Sequence, residues 1–250
     1  MSNRLNEQID KAADSVIKFG NICALTGAGI SVESGIPPFR GQGGIWDKFD
    51  PFEYAHIDSF MKNPAKVWDV LLKEMKQTLD KAKPSKAHMA LVDLESLGLL
   101  KTVITQNIDG LHQASGSNDV IEFHGNFANL SCLSCDKAFK MSEIDIRSMP
   151  PKCSCGGYIR PNCVFFGENI PFEALQRSHE AAVSCKIMLV IGTSATVQPA
   201  ASIPITAKKS GAIIIEINPE KTALSSGISD IFIQGRASII MTDLLKAIKL

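Results

Sequence analysis

The chain has 250 residues, with 26 Lys and Arg against 26 Asp and Glu and a pI near 6.9, so no global field draws it to nucleic acid or an anionic membrane. At 45% hydrophobic and 21% charged residues it has a globular composition, long enough to bury roughly 70–75% of its unfolded surface. No apolar run nears the roughly 18–20 residues that span a bilayer, and the polar residues 1–10 resemble no secretory or transit leader, so a cytoplasmic protein with reduced thiols is expected.

Ile9, Ala12, Ala13, Val16 and Ile17 fall at helical spacing before Gly20, predicting an amphipathic helix over residues 8–19. An apolar strand at 22–25 then runs into Thr26-Gly27-Ala28-Gly29-Ile30-Ser31, the order strand, tight turn, helix start. Val32 stands where a full G-x-G-x-x-G has its last glycine, so the turn reads either as a plain tight turn or as half of a dinucleotide fingerprint. Ser31, Phe39 and Arg40 close downstream favour the second, because N–H groups at a helix start and a guanidinium grip a pyrophosphate. Residues 35–60 hold Pro37-Pro38, Gly41, Gly43-Gly44 and Pro51 without a sustained period, the composition of a long functional loop.

Helices are expected at 87–97, 171–183 and 199–209, alternating with extended runs at 103–105, 187–191 and 212–217. Such alternation makes a parallel sheet. Gln106-Asn107-Ile108-Asp109 follows the first of these runs at its carboxyl end, where open α/β sheets bind ligands. Asp109 alone also fits an Asx-turn ahead of a helix at Leu111-His112. His124 closes a short extended segment before Gly125, among these loops, where an imidazole suits proton transfer near neutral pH. His56, His88, His112 and His179 read as structural. Gly192-Thr193-Ser194 and Asn218-Pro219-Glu220 cap two further strands, so polar residues from several strands converge on one sheet edge.

Of seven cysteines, Cys23, Cys163 and Cys185 lie singly in or beside apolar segments and read as small buried hydrophobes. The rest form Cys132-x2-Cys135 and Cys153-x-Cys155. Thiolate pairs on tight turns fill a tetrahedron and close a structural four-thiolate zinc site, the alternative being four unrelated free thiols. The polar stretch around them, with Pro150-Pro151, reads as a small module inserted into the α/β body.

Taken together, Gly27-Ala28-Gly29-Ile30-Ser31, Ser34-Gly35-Ile36-Pro37, Phe39-Arg40-Gly41, Thr105-Gln106-Asn107-Ile108-Asp109, His124-Gly125, the four cysteines, Val164-Phe165-Phe166-Gly167-Glu168, Gly192-Thr193-Ser194 and Asn218 resemble the sirtuins, NAD-dependent protein deacylases. The resemblance runs in order from about Ala24 to Ala237. It implies an α/β protein: a Rossmann-like NAD-binding domain (1–34, 86–124 and 164–250), a mobile cofactor loop with a helical insert (35–85) and a zinc-ribbon module (125–163). NAD, as co-substrate, and an acetylated lysine of a protein or peptide would meet in the cleft between them; no membrane and no nucleic-acid partner is expected.

By residue, the resemblance implies that Gly27, Ala28, Gly29, Ser31, Phe39 and Arg40 hold the phosphates and shield the ribose. Gln106, Asn107, Ile108 and Asp109 would line the nicotinamide and ribose pocket, with Asn107 and His124 catalytic and His124 the base. Gly192, Thr193, Ser194, Asn218 and Ala237 would take the adenosine half, and Val164, Phe165, Phe166 and Gly167 would offer an edge strand to the peptide. Pro38 departs from the Asp of many members, and the second cysteine pair is one residue short. Members that select succinyl or malonyl groups carry a Tyr and, three residues on, an Arg in the helix after the loop. Leu71 and Glu74 stand there in this chain, so acetyl is expected over succinyl.

The expected activity is NAD-dependent lysine deacetylation, in which the acyl group passes to ADP-ribose and nicotinamide is released. Two rivals stand beside it: an NAD-glycohydrolase or ADP-ribosyltransferase using the same pocket, and a non-catalytic zinc adaptor that senses NAD. A dehydrogenase lacks the full fingerprint and gives the zinc module no purpose.

Overall fold

Apolar runs of five or six residues flanked by amphipathic helices settle into a layered α/β body. The computed structural model describes residues 3–41, 43–145 and 150–249, so Met1 and Ser2 of the polar stretch 1–10 lie outside the described residues. In chain order the first half comprises α1 (Asn3–Phe19), β1 (Ile22–Thr26), α2 (Ile45–Lys48), α3 (Pro51–Tyr54), α4 (Ile57–Lys62), α5 (Pro64–Val67), α6 (Lys73–Leu79), α7 (Lys86–Ser96), β2 (Leu100–Thr105), α8 (Leu111–Ser115) and β3 (Val120–Glu122). The second half comprises β4 (Gly125–Cys132), β5 (Ala138–Lys140), β6 (Ile159–Cys163), α9 (Phe172–Ser184), β7 (Ile187–Ile191), α10 (Ile203–Lys209), β8 (Ile213–Asn218), β9 (Ile231–Gln234) and α11 (Ala237–Lys249).

Six strands pair in the order β3-β2-β1-β7-β8-β9, all parallel. This is the doubly wound Rossmann order, with its direction reversing between β1 and β7, and ligands of such sheets bind at the carboxyl ends beside the reversal. Alternate side chains serve opposite layers. Ile22, Ala24, Leu189 and Ile215 pack against α1, α7 and α11. Cys23, Leu25, Met188, Val190 and Ile214 pack against α9 and α10. The lone cysteines Cys23, Cys163 and Cys185 are buried as expected, and burial pushes the Cys163 thiol up to about 12.

A second sheet, β5-β4-β6, is antiparallel. Its Phe127, Leu130 and Ile159 share one apolar core with Phe60, Val67, Trp68 and Leu72, and the Trp68 indole N–H donates to the Ile159 carbonyl at 2.9 Å. The two inserts foreseen as separate therefore pack on each other.

Three short helices occupy the stretch read as loop at 35–60. Pro51, taken as a breaker, sits in the first turn of α3 with the Asp50 carboxylate accepting the Phe52 N–H at 2.8 Å, a position where a missing N–H costs nothing. Between α5 and α6 the chain widens into a π turn at Trp68–Leu72.

Candidate active site

The turn after β1 is built by two close approaches. Gly27 N–H donates to Ile191 O at 3.0 Å and Gly29 N–H to Gly192 O at 2.8 Å. A Cβ on Gly29 would lie 2.5 Å from the Gly192 Cα, and Gly192 itself holds φ +61°, so glycine is required at both contact positions. The α-helix expected next does not form. Short 3₁₀ turns at Ala28–Ile30 and Val32–Ser34 end at Gly35 in the left-handed region, and Pro37-Pro38 follow. The phosphate grip inferred from a helix start therefore has fewer free N–H groups than foreseen.

The loop after β2 is tied to this turn through side chains. The Asn107 N–H donates to the Thr105 hydroxyl at 3.1 Å, and its Nδ2 donates to the Gly27 carbonyl at 3.1 Å and to the Ser31 hydroxyl at 3.2 Å. The Ser31 hydroxyl in turn donates to Asp109 Oδ2 at 2.7 Å, while Asp109 Oδ1 accepts the Leu111 N–H at 2.9 Å. Asp109 thus makes the Asx-turn with one oxygen and belongs to the site with the other. Burial raises its pKa above the usual carboxylate value, against the Leu111 and Ser31 hydrogen bonds that lower it.

Gln106 reaches the next strand end, its Nε2 donating to the Thr193 hydroxyl at 3.0 Å. The Asn218 amide donates to the Thr193 carbonyl at 2.9 Å. The polar residues of four strand ends therefore form one connected set. His124, after β3, donates through Nδ1 to the Gln106 carbonyl at 3.0 Å. Desolvation lowers its pKa, the Gln106 contact acting the other way, so the ring is neutral near pH 7.

Two adjoining cavities open over these residues. A wide cleft of about 840 Å³ is lined by Gly27, Ala28, Gly29, Phe39, Arg40, Gln106, Asn107, Ile108, His124, Val164 to Gly167, Gly192, Thr193, Ser194 and Asn218. A narrower, mainly apolar pocket of about 50 Å³ takes Ser31 and Asp109 on its polar wall, with Ile36, Ile45, Leu71, Met75 and Leu79 on the others. Of the catalytic, cofactor and peptide residues foreseen, Ala237 alone lines neither; it is buried at the start of α11. Met75 and Leu79 were missed, although they share the helical face of Leu71 at spacings of four. Pro219 and Glu220, read with Asn218 as the polar cap of a strand, do border the cleft; Lys221, Thr222 and Ala223 beside them carry no motif that could have marked them.

Val164 to Gly167 do not form the edge strand foreseen. Phe166 makes a single parallel bridge to His56, its N–H donating to Ala55 O at 2.8 Å and its carbonyl accepting the Ile57 N–H at 2.9 Å. Glu168 folds the segment back, taking the Phe165 N–H at 2.8 Å and a two-pronged contact from Arg160 at 2.5 and 2.7 Å.

The sulfurs of Cys132, Cys135, Cys153 and Cys155 all lie within 4.8 Å of one another, with Cys132–Cys155 at 3.5 Å and Cys135–Cys153 at 3.7 Å. A tetrahedral zinc with Zn–S near 2.3 Å separates its sulfurs by about 3.8 Å, so the donor set fits. Backbone N–H groups favour the thiolates: that of Cys155 leads in holding Cys153 down at about 6, and that of Ser134 lowers Cys132. Although the Lys137 N–H also favours ionisation, the neighbouring sulfurs push Cys135 up to about 12. Four thiolates so close need a cation between them.

Comparison with known proteins agrees with this geometry. A model of the Sir2 family matches residues 27–199. An NAD-dependent protein deacylase 1 of Archaeoglobus fulgidus is 41% identical over 96% of this chain and 98% of its own length. A solved Sir2 enzyme superposes with a TM-score of 0.91 at 41% identity, covering 98% of each chain. Another, solved with a deacetylated peptide and 3′-O-acetyl-ADP-ribose, gives 0.88 at 34% identity over 94% of this chain and 96% of its own.

Proposed function

The chain belongs to the Sir2 family, and from that premise we propose how its cleft carries out the reaction. It is an NAD-dependent protein-lysine deacetylase that passes the acyl group to ADP-ribose and frees nicotinamide and lysine. NAD supplies the electrophilic ribose carbon that the acyl oxygen captures as nicotinamide leaves.

The residues then divide the work. Arg40 offers the cleft a guanidinium for a diphosphate. Phe39 borders both cavities and shields the ribose from water. Asn107, Ile108 and Asp109, held by Ser31, fix the nicotinamide carboxamide and ribose, so that the reacting atoms start near their productive geometry. Thr193, Ser194 and Asn218 hold the adenosine half. His124 removes a ribose hydroxyl proton, which lets the neighbouring hydroxyl attack the captured acyl carbon, and water then frees the lysine.

The Val164 to Gly167 segment, braced by Glu168 and Arg160, presents the acylated peptide, with its acyl chain directed toward the apolar pocket beside Leu71. Cys132, Cys135, Cys153 and Cys155 hold one zinc, whose role is to keep β4 to β6 folded. Residues 35–85 and 125–163 together form the small domain against which the Rossmann-like domain of 1–34, 86–124 and 164–250 closes the cleft. The free thiols suit a reducing cytoplasm. Among the described residues no helix is long and apolar enough to cross a membrane.

The observation that carries this reading is that His124 and Asn107 share one cleft with the Phe165–Phe166 segment, while Asn107 and its partner Ser31, which holds Asp109, wall the adjoining pocket. Incubation with NAD and an acetyl-lysine peptide, followed by mass spectrometry, tests it. Acetyl-ADP-ribose formed in step with free lysine is expected. Free ADP-ribose alone would favour a glycohydrolase, ADP-ribosylated protein a transferase, and unchanged NAD an adaptor.

A further inference from the structure

Glu216 stands in the middle of β8 and is fully buried. Alternation sends its neighbours Ile215 and Ile217 to the layer of α1, α7 and α11, and places Glu216 on the opposite face, among Met188, Val190, Ile214 and Leu224. A carboxylate in an apolar layer is costly unless it is fully hydrogen-bonded. No cation pairs with it among the described residues. Its partners are three hydroxyls of the loop that leaves β8. Thr222 donates to Oε1, while Ser229 and, at 2.9 Å, Ser225 donate to Oε2.

Two of these hydroxyls also accept backbone N–H groups of the same loop, Thr222 Oγ1 from Leu224 at 3.1 Å and Ser225 Oγ from Thr222 at 2.9 Å. The loop is therefore wound around one carboxylate. Its leading half, from Pro219 to Ala223, walls the cleft next to Asn218, whose Oδ1 accepts the Glu220 N–H at 3.3 Å.

We propose that Glu216 is a positioning residue for the nucleotide half of NAD: by gathering Thr222, Ser225 and Ser229 it holds residues 219–229 in the shape that closes the adenosine end of the cleft. It touches neither the cofactor nor the peptide. The effect rests on the reading of the cleft as an NAD site, and it predicts a signature confined to NAD.

The test compares wild type with Glu216→Leu, Glu216→Gln and Ser229→Ala by steady-state kinetics on an acetyl-lysine peptide and by calorimetric titration with ADP-ribose. Losing charge-assisted hydrogen bonds that order a binding loop should raise the NAD KM and the ADP-ribose Kd of Glu216→Leu by about tenfold or more. The peptide KM and kcat at saturating NAD should stay within about twofold. Glu216→Gln should recover much of the loss, because an amide oxygen still accepts and the hydroxyls can turn to accept from its NH₂.

Ser229→Ala, on a half-exposed loop position, keeps the question answerable if Glu216→Leu does not fold, with an NAD KM raised by about two- to fivefold. Lowered melting temperatures with an unchanged NAD KM and ADP-ribose Kd would reduce Glu216 to a packing element and overturn the proposal. A wild-type protein that does not consume NAD would refute the deacetylase reading instead.

Discussion

The Nδ1–H of His124 donates to the Gln106 carbonyl at 3.0 Å, which leaves Nε2 as the basic atom of the neutral ring. The same contact ties His124 to the loop that carries Asn107 and Asp109, so the proposed base and the proposed nicotinamide pocket share one anchor.

A pH profile follows from the environment of this ring. Burial lowers the His124 pKa from 6.5 by more than the Gln106 hydrogen bond raises it. The unprotonated form is the active one, so kcat/KM should rise with pH along an acid limb whose midpoint lies below 6.5, then stay level through neutrality. His124→Ala should lose on the order of 10²–10⁴ in turnover while NAD binding survives. A midpoint above 6.5, or near-normal turnover in the variant, contradicts the assignment.

Metal removal should act through the core. Cys132 and Cys153 belong to the apolar cluster that also holds Trp68 and Leu72, and Leu72 lines the cleft. Chelation or Cys153→Ala should release about one zinc per chain and lower the melting temperature. Activity should be lost along with the fold of the small domain, as read by the fluorescence of Trp68 and Trp46. A zinc-free protein with unchanged melting and turnover would show that the cluster has another purpose.

Leu71 and Glu74, from which a preference for acetyl over succinyl is expected, both line the apolar pocket. Glu74 does not turn to Lys73 or Lys76; it pairs at 3.4 Å with Lys48, in the inserted segment, with 48% of its side chain exposed. That partner and solvent screening weaken the repulsion of a second carboxylate, yet neither residue offers it a donor. Acetyl-lysine should exceed succinyl-lysine in kcat/KM by about tenfold or more, from hydrogen bonds the succinyl group cannot make. Leu71→Tyr with Glu74→Arg should narrow the ratio. A wild-type succinyl preference would refute the account.

Acid sensitivity above the carboxylate range should come from a buried histidine pair. The rings of His88 and His112 lie 4.7 Å apart, and desolvation lowers them to about 4 and about 3, with the charge of His88 adding to the effect on His112. Both folded values lie below the unfolded one near 6.5, so the unfolded chain takes up protons first as pH falls. Stability is complete above pH 6.5 and declines below it, toward a loss on the order of several kcal/mol once both folded values are passed. Thermal melts between pH 6.5 and 5 should show this slope, and His88→Gln should flatten it. Equal slopes in the two proteins would contradict the assignment.

The sheet and most of the site were legible because both rest on local chemistry. Alternating apolar runs and helical periods predicted β1, β2, β7, β8 and their helices. Polar residues directly after strands marked Gln106 to Asp109, Gly192 to Ser194 and Asn218. What local pattern could not carry was tertiary. The turn at Ala28 takes its shape from contact with Gly192, at the end of the adjoining strand, so the helix start inferred from Gly27-Ala28-Gly29 is met only by short 3₁₀ turns. β9 and α11 drew no expectation, because a four-residue strand carries little period. Glu216 looked like one more charge, and its burial became visible only when Thr222, Ser225 and Ser229 were brought around it.

The central claim is that this cleft cleaves NAD in order to move an acyl group. The most direct measurement is the rate of nicotinamide release from NAD with and without an acetyl-lysine peptide, alongside the amount of lysine freed. The account predicts that release depends on the acetylated peptide and runs one to one with deacetylation. Release that proceeds equally with the unacetylated peptide, or with no lysine freed, would contradict it.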